Sequence, residues 1–420
     1  MRANPISLIL LGLSVLATPA AAQRQPSCRS DNAGLTLPPG FCALIVADSV
    51  GQARHIAVAA DGDIYVAVGG NAGGVLALRD TDGDGVADVR ERFGPGKGGS
   101  GIVLRGDQLY FATNDAIVRY RRPAGTLRPA GAPDTIVSGL PADRSHQAKT
   151  IAFGPGGAIY VNIGSPTNVC QPTNARETSG LDPCPERENR AGIWRFDPDK
   201  LGQTPADGRR WATGLRNTVA ITQNPADGQV YGGVHGRDNL FQNWPRFYDE
   251  GEGADLPSEM FVRIGENEDY GWPYCYWDQN RRQFILAPEY GGDENTAGRC
   301  ANLRATPVLG FPGHWAPNGS MFYAGSQFPA AYRAGVFIAF HGSWNRAPRP
   351  QEGYRVVFAP LPGNGGVPKF EIFADGFSGG DNNTAQHRPV GLAQGPDGSI
   401  FVTDDRAGRI YRIIFRGTGR

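Results

Sequence analysis

Ala53-Arg54-His55-Ile56-Ala57-Val58, the turn Ala60-Asp61-Gly62-Asp63, and then Ile64-Tyr65-Val66 set the pattern on which the fold is built. A polar opening leads into a short apolar run, a Gly/Asp turn reverses the chain, and a second apolar run returns. Short runs of β-branched and aromatic residues joined by such turns signal a hairpin. The pattern recurs five times, at 100–111, 146–161, 216–231, 318–340 and 387–402, and a third run often follows, as at 74–78 and 354–358. Such a sheet cannot bury both faces alone, so the copies must stack radially. The expectation is an all-β chain folded as a six-bladed β-propeller with disulfide-stapled loop insertions; an eight-stranded sandwich is the competing arrangement. Residues 23–420 allow about 66 residues per copy, against roughly 40–45 in the commonest propeller repeats. The surplus is expected as insertions at 165–189 and 237–302. The ring should close by pairing Phe41–Ala47 with the last blade, which ends at 411–415.

Composition agrees with this architecture. The 59 glycines and 33 prolines among 420 residues are hostile to long helices. The 41 Lys+Arg balance 41 Asp+Glu, which argues against a general nucleic-acid partner, because phosphate neutralisation needs surplus cations. Residues 1–22 read as a secretory signal: Arg2 starts it, 6–16 form its apolar run, and Ala20-Ala21-Ala22 precede a mature start at Gln23. Residues 23–420 are then the propeller and catalytic domain, exported to the periplasm or secreted. No later stretch approaches the roughly 20 apolar residues of a membrane span. All six cysteines follow the cut, and an even count in an exported chain reads as disulfides. Six cysteines allow 15 connectivities; the spacing favours the neighbour pairs Cys28–Cys42, Cys170–Cys184 and Cys275–Cys300.

In a blade of this kind, the start of the first strand and the end of the second lie at one end of the ring. His55, His146 and His387 open first strands, His314 precedes one, and His235 and His341 close second strands, with Arg54, Arg216, Arg346 and Arg388 beside them. All six histidines are therefore expected at one mouth of the channel. Polar residues also collect at loop junctions for solvation alone. A mouth of His, Arg, Asn and Gln suits a polyanionic, hydrogen-bonding ligand.

The segments His146-Gln147 followed by Pro155, Gly214-Leu215-Arg216-Asn217, and Asp269-Tyr270-Gly271-Trp272-Pro273 resemble the soluble quinoprotein glucose dehydrogenase family. Val234-His235-Gly236-Arg237-Asp238 and Phe340-His341-Gly342-Ser343-Trp344-Asn345-Arg346 resemble its sorbosone and pyranose dehydrogenase relatives more closely. The similarity spans roughly 38–415. It implies a six-bladed propeller binding pyrroloquinoline quinone (PQQ) over calcium at the channel mouth and oxidising an aldose or aldehyde sugar. By the same resemblance His146 is the general base, a role that fits imidazole because its ordinary pKa lies near operating pH. Arg216 and Asn217 match cofactor-binding positions, Arg388 an arginine near the cofactor, and Arg346 stands for a lysine there. Arg54, Gln147, His235 and His341 complete the candidate contacts. The backbone carbonyls of Gly236 and Arg237 match calcium ligands, as suits a cation that prefers oxygen. The chain departs from the glucose enzymes at His235 and Val219, where they have Gln, and at His314, where they have Thr; a sorbosone-like or other pyranose substrate is implied instead of glucose. The electron acceptor, a cytochrome or a quinone, is left open.

Asp80-Thr81-Asp82-Gly83-Asp84-Gly85-Val86-Ala87-Asp88-Val89-Arg90-Glu91 independently fits a calcium loop, with side chains of Asp80, Asp82, Asp84, Asp88 and Glu91 and the Val86 carbonyl as ligands. Its flanks read as strands, so a structural clamp is expected. The aromatic cluster 270–277 either borders a sugar site or packs an insertion. Three functions remain: a PQQ-dependent sugar dehydrogenase, a calcium-dependent lactonase-like hydrolase, and a carbohydrate-binding propeller without catalysis.

Overall fold

The computed structural model describes residues 26–71, 73–96, 98–361 and 369–417; the segment 1–22, read as a secretory signal, lies outside them. Six sheets form the six blades. Blade 1 comprises Ala53–Val58, Ile64–Val68, Gly74–Arg79 and Val89–Phe93. Blade 2 comprises Gly101–Arg105, Gln108–Ala112, Ile117–Arg121 and Asp134–Val137. Blade 3 runs Ile151–Phe153, Ile159–Ile163, Gly192–Phe196 and Arg209–Thr213, and Glu268–Asp269 adds a short parallel edge. Blade 4 runs Ala220–Gln223, Val230–Val234, Glu259–Arg263 and Leu309–Phe311. Blade 5 runs Pro317–Phe322, Gly335–Phe340, Arg355–Pro360 and Glu371–Ala374. Blade 6 takes Pro389–Gln394, Ile400–Asp404 and Arg409–Phe415 from the end of the sequence and Phe41–Ala47 from near its start. Phe41 pairs with Phe415 and Ile45 with Tyr411, so the ring closes as the sequence indicates.

In five of the six blades the second strand is buried along its whole length, and in blade 2 all of it but Gln108 is, because each sheet packs a face on each neighbour. Between blades 5 and 6 the interface is aromatic: Phe41, Phe328, Phe337 and Phe373 meet with ring centroids 4.7–6.1 Å apart. Near the axis the inner strands come so close that a Cβ at Gly319 would overlap the Val390 carbonyl, and one at Gly391 would lie 2.6 Å from the Arg54 carbonyl. Glycine there lets the ring tighten. The channel encloses a cavity of about 560 Å³ to which all six inner strands contribute, among them His55, Ile102, Ile151, Ile221, Ser320 and Leu392.

The three disulfides join Cys28–Cys42, Cys170–Cys184 and Cys275–Cys300. Loops of this size are each worth about 3 kcal/mol in the chain-entropy picture. The expected insertion at 237–302 needs correction, since Glu259–Arg263 within it is the third strand of blade 4. Two insertions flank that strand. The first carries the helices Leu240–Asn243 and Glu250–Asp255, and the second the hairpin Cys275–Asp278 with Gln283–Leu286. The aromatics Tyr270, Trp272, Tyr276 and Trp277 are buried in this cap, so they pack the insertion.

Candidate active site

His146 lies five residues ahead of the inner strand of blade 3, with a left-handed φ of 53°. Its Nδ1 is 2.7 Å from the Ser165 carbonyl. A carbonyl only accepts, so Nδ1 carries the proton and Nε2 presents a lone pair. Burial, with the Arg216 charge behind it, pushes His146 down to about 3, and the ring is neutral at physiological pH. Asn217 and His235 form the next part of the wall. Asn162 Nδ2 donates to Asn217 Oδ1 at 3.2 Å, Asn217 Nδ2 faces His235 Nδ1 at 3.5 Å, and His235 Nε2 donates to the Pro317 carbonyl at 3.1 Å. The chain fixes both the amide orientation and the His235 tautomer. Burial, then Arg216, pushes His235 down to about 4.

Asp238 is the hub that the sequence did not single out. Its Oδ2 accepts from Arg216 at 2.7 Å and its Oδ1 from Asn345 at 2.9 Å, while its N–H donates to Asn168 Oδ1 at 2.9 Å. His314 Nδ1 stands 3.8 Å away. Burial works to raise the Asp238 carboxyl, but Arg216, then His314 and Asn345, hold it below the usual range. Its partners come from residues 22 to 107 positions away; in sequence Asp238 resembles any acidic turn residue. Beneath it Glu259, fully buried, accepts from the Gly236 N–H at 2.9 Å and the Ala316 N–H at 3.3 Å, and burial pushes it up to about 8.

A second group faces blade 6. Asp405 accepts from His341 Nε2 at 2.8 Å and pairs with Arg54, and Arg388 approaches His341 Nδ1 at 3.4 Å while stacking on Tyr354. Burial would raise Asp405, yet His341 and then Arg54 hold it at about 2. Among the described residues Arg388 has no carboxylate partner, and Asn345 Oδ1 is buried without a hydrogen-bond donor. An uncompensated guanidinium fits a carboxylate-bearing ligand.

Several expected positions fall elsewhere. Arg346 is 4% exposed, and its guanidinium donates to the carbonyls of Ala254 at 3.0 Å, Gly313 at 2.8 Å and Pro350 at 3.3 Å and to Asp255 at 3.2 Å. With every nitrogen engaged it fastens three loops and does not serve the mouth. Gln147 is exposed and turns toward Asn114 and the Arg144 carbonyl. The six histidines do not all converge. His55 lines the channel and donates to the Asn318 carbonyl at 2.8 Å, whereas His314, buried against the Gly253 carbonyl, stays with the cluster beside Asp238. His387 turns to Asp404 at 2.7 Å and lies edge-on to Tyr411, away from the cluster. The Arg237 side chain is buried against Glu289, and the residue borders a small cavity of about 30 Å³ with Arg216, His235 and Gly236.

The calcium-loop reading is narrowed. Among the described residues Asp80, Asp82 and Asp88 bring carboxylate oxygens within 4.8 Å of one another. Asp84 lies outside that group, its carboxylate accepting from the Val86 N–H at 2.7 Å. Glu91 pairs with Ala77 in the outer strand of blade 1 and lines a groove with Phe93 and Tyr120. Strand pairing from Val89 onward stretches the chain, which carries Glu91 off the loop.

The sequence matches the TrAA12-like family over residues 35–415. The chain belongs to that family. This TrAA12-like chain is 28% identical over 298 residues to the pyrroloquinoline quinone-dependent pyranose dehydrogenase of Coprinopsis cinerea, covering 62% of this chain and 38% of that protein. Its fold is similar to the holo PQQ domain of pyranose dehydrogenase from Coprinopsis cinerea, with TM-score 0.70 at 22% identity over 93% of this chain and 98% of that one. The iodide structure of a Trichoderma reesei family AA12 carbohydrate-active enzyme gives TM-score 0.73 at 18% identity over 94% and 100%. The TrAA12-like chain spans under half the length of the curated relatives it matches. Among its described residues no helix is long and apolar enough to cross a membrane.

Proposed function

We propose that this chain is an exported, PQQ-dependent sugar dehydrogenase that oxidises a pyranose or related aldehyde sugar of the sorbosone type. The observation that carries the reading is the neutral His146, with Nε2 unprotonated, electrostatically coupled to Arg216, His235 and Asp238. Arg388, Arg54 and Arg216 would hold the cofactor's carboxylates, with Asn217, His235 and His341 completing its hydrogen bonds. The carbonyls of Gly236 and Arg237 would offer oxygen ligands to calcium, and Glu259 fixes the Gly236 peptide through its N–H. When bound, PQQ supplies a two-electron acceptor. His146 accepts the sugar hydroxyl proton at Nε2, and the Ser165 carbonyl bonded to Nδ1 steadies the imidazolium that forms. Asp238 keeps the opposing charge beside Arg216.

A calcium-dependent lactonase would place several side-chain ligands on a metal in the channel. Among the described residues the one cluster of His, Cys, Asp or Glu that could hold a metal is Asp80, Asp82 and Asp88 on the outer loop of blade 1. That cluster we assign as a structural calcium clamp. The test is reconstitution of purified protein with PQQ and calcium, followed by quinone absorbance and dye reduction on adding pyranoses. Tight PQQ binding with sugar-dependent dye reduction is the expected result. Absence of any PQQ binding would overturn the reading and favour a carbohydrate-binding propeller.

A further inference from the structure

Six of the seven tryptophans, Trp194, Trp211, Trp244, Trp272, Trp277 and Trp315, are 3–9% exposed; Trp344 is 67% exposed. A mobile tail would explain such exposure, but the loop of Trp344 is fastened on both sides. His341 bonds Asp405 at 2.8 Å, and Asn345 bonds Asp238 at 2.9 Å. The N–H of Ser343 donates to the Glu352 carbonyl at 2.8 Å, its Oγ to Gln351 at 2.7 Å, and its carbonyl accepts the Tyr354 hydroxyl at 2.5 Å. Gly342 has a φ of 94°, and a Cβ there would overlap the Tyr354 ring, the ring on which Arg388 stacks. The pedestal is rigid, and it joins the two halves of the candidate site, Asp238 with Arg216 and Arg388 with His341. The Cα of Trp344 is one peptide, about 3.8 Å, from that of Asn345. An indole left in solvent on a fastened loop that borders a polar site has no packing role, and apolar faces next to convergent polar groups are where ligands bind.

We infer that Trp344 is the stacking platform that receives the apolar face of the pyranose ring and so determines specificity for cyclic sugars. The inference rests on the proposed sugar oxidation. In this role the indole contacts the C–H face of the ring while hydroxyl groups meet the polar cluster. Small open-chain aldehydes, lacking that face, gain nothing from it.

The experiment uses the full mature chain, wild type, Trp344→Ala and Trp344→Phe, with D-glucose, D-galactose, D-mannose and D-xylose as probes. Three readouts are taken: steady-state turnover after PQQ and calcium loading, PQQ titration, and acrylamide quenching of tryptophan fluorescence with and without sugar. Trp344→Ala should raise KM for the best pyranose roughly 10-fold, with kcat within about 3-fold and PQQ affinity unchanged; Trp344→Phe should fall between. In wild type, sugar should shield the quenchable indole, and both variants should lose that quenchable fraction. Unchanged KM with no shielding overturns the inference. A parallel loss of kcat and PQQ affinity also overturns it, as the mark of a merely structural residue. If wild type neither binds PQQ nor oxidises sugar, the proposed function falls; shielding of Trp344 in that same sample would still uphold the platform, and its absence would remove both.

Discussion

Replacing Glu289 by Ala tests how the cap is held over the site. Glu289 is 2% exposed and Arg237 4%. Arg237 Nη1 lies 2.6 Å from both carboxylate oxygens, and the Trp244 indole N–H donates to Oε1 at 2.7 Å. The other guanidinium nitrogen, Nη2, is already buried without a partner. Removing the carboxylate strands a buried cation, which costs about 3–5 kcal/mol. It also leaves the indole N–H unsatisfied, worth about 1–3 kcal/mol more. Water entering the emptied space offsets part of the sum, so a net loss of at least about 3 kcal/mol is expected. Replacing both partners, Arg237→Met with Glu289→Leu, should recover most of it, because neither charge then needs solvation. Urea unfolding followed by circular dichroism measures the loss, and limited proteolysis reports release of the insertion that Tyr248, Tyr276 and Ile285 pack. The reasoning is refuted if Glu289→Ala stays within 1 kcal/mol of wild type, or if the double variant is no more stable than Glu289→Ala.

The other expectations concern the base, a buried lysine and the clamp. His146→Ala should lower kcat by about 10²–10⁴-fold with PQQ affinity little changed, whereas Arg216→Ala should weaken PQQ binding by roughly 1.5–3 kcal/mol; loss of cofactor in His146→Ala with normal turnover at saturating PQQ would reverse the assignment. Lys149 is fully buried, donates to the Gln147 carbonyl at 2.7 Å, and is pushed down to about 7 by burial and then by Arg190. Because its folded pKa lies below its unfolded value of 10.5, its contribution to stability is present above that unfolded value and lost as pH falls through 7. Wild type should therefore lose up to about 1.4 kcal/mol per pH unit between roughly pH 10 and 7 relative to Lys149→Met; parallel denaturation curves would count against the burial. A calcium chelator should lower Tm, and Asp82→Asn should diminish that shift; identical melting of both proteins with and without chelator would dispose of the clamp.

The blades and the staples were legible in the sequence because both are local. Hairpin turns such as Ala60-Asp61-Gly62-Asp63 fix strand pairing within a few residues, and Cys28–Cys42, Cys170–Cys184 and Cys275–Cys300 close loops of 14, 14 and 25 residues. Ring closure was legible too, because Phe41–Ala47 had no partner strand beside it in sequence. The insertion boundary at 237–302 was not, since Glu259–Arg263 pairs with Val230–Val234 across a stretch that reads as loop. Nor was the direction of each rim side chain. Hairpin register says that His387 and His341 lie near strand ends, but loop conformation sends one to Asp404 and the other to Asp405. Asp238 became the hub only when Asn168, Arg216 and Asn345, from three different loops, met around it. Short-range periodicity determines which strands exist, whereas a charged group's role depends on which counter-charges, up to a hundred residues away, the closed ring brings within hydrogen-bonding distance.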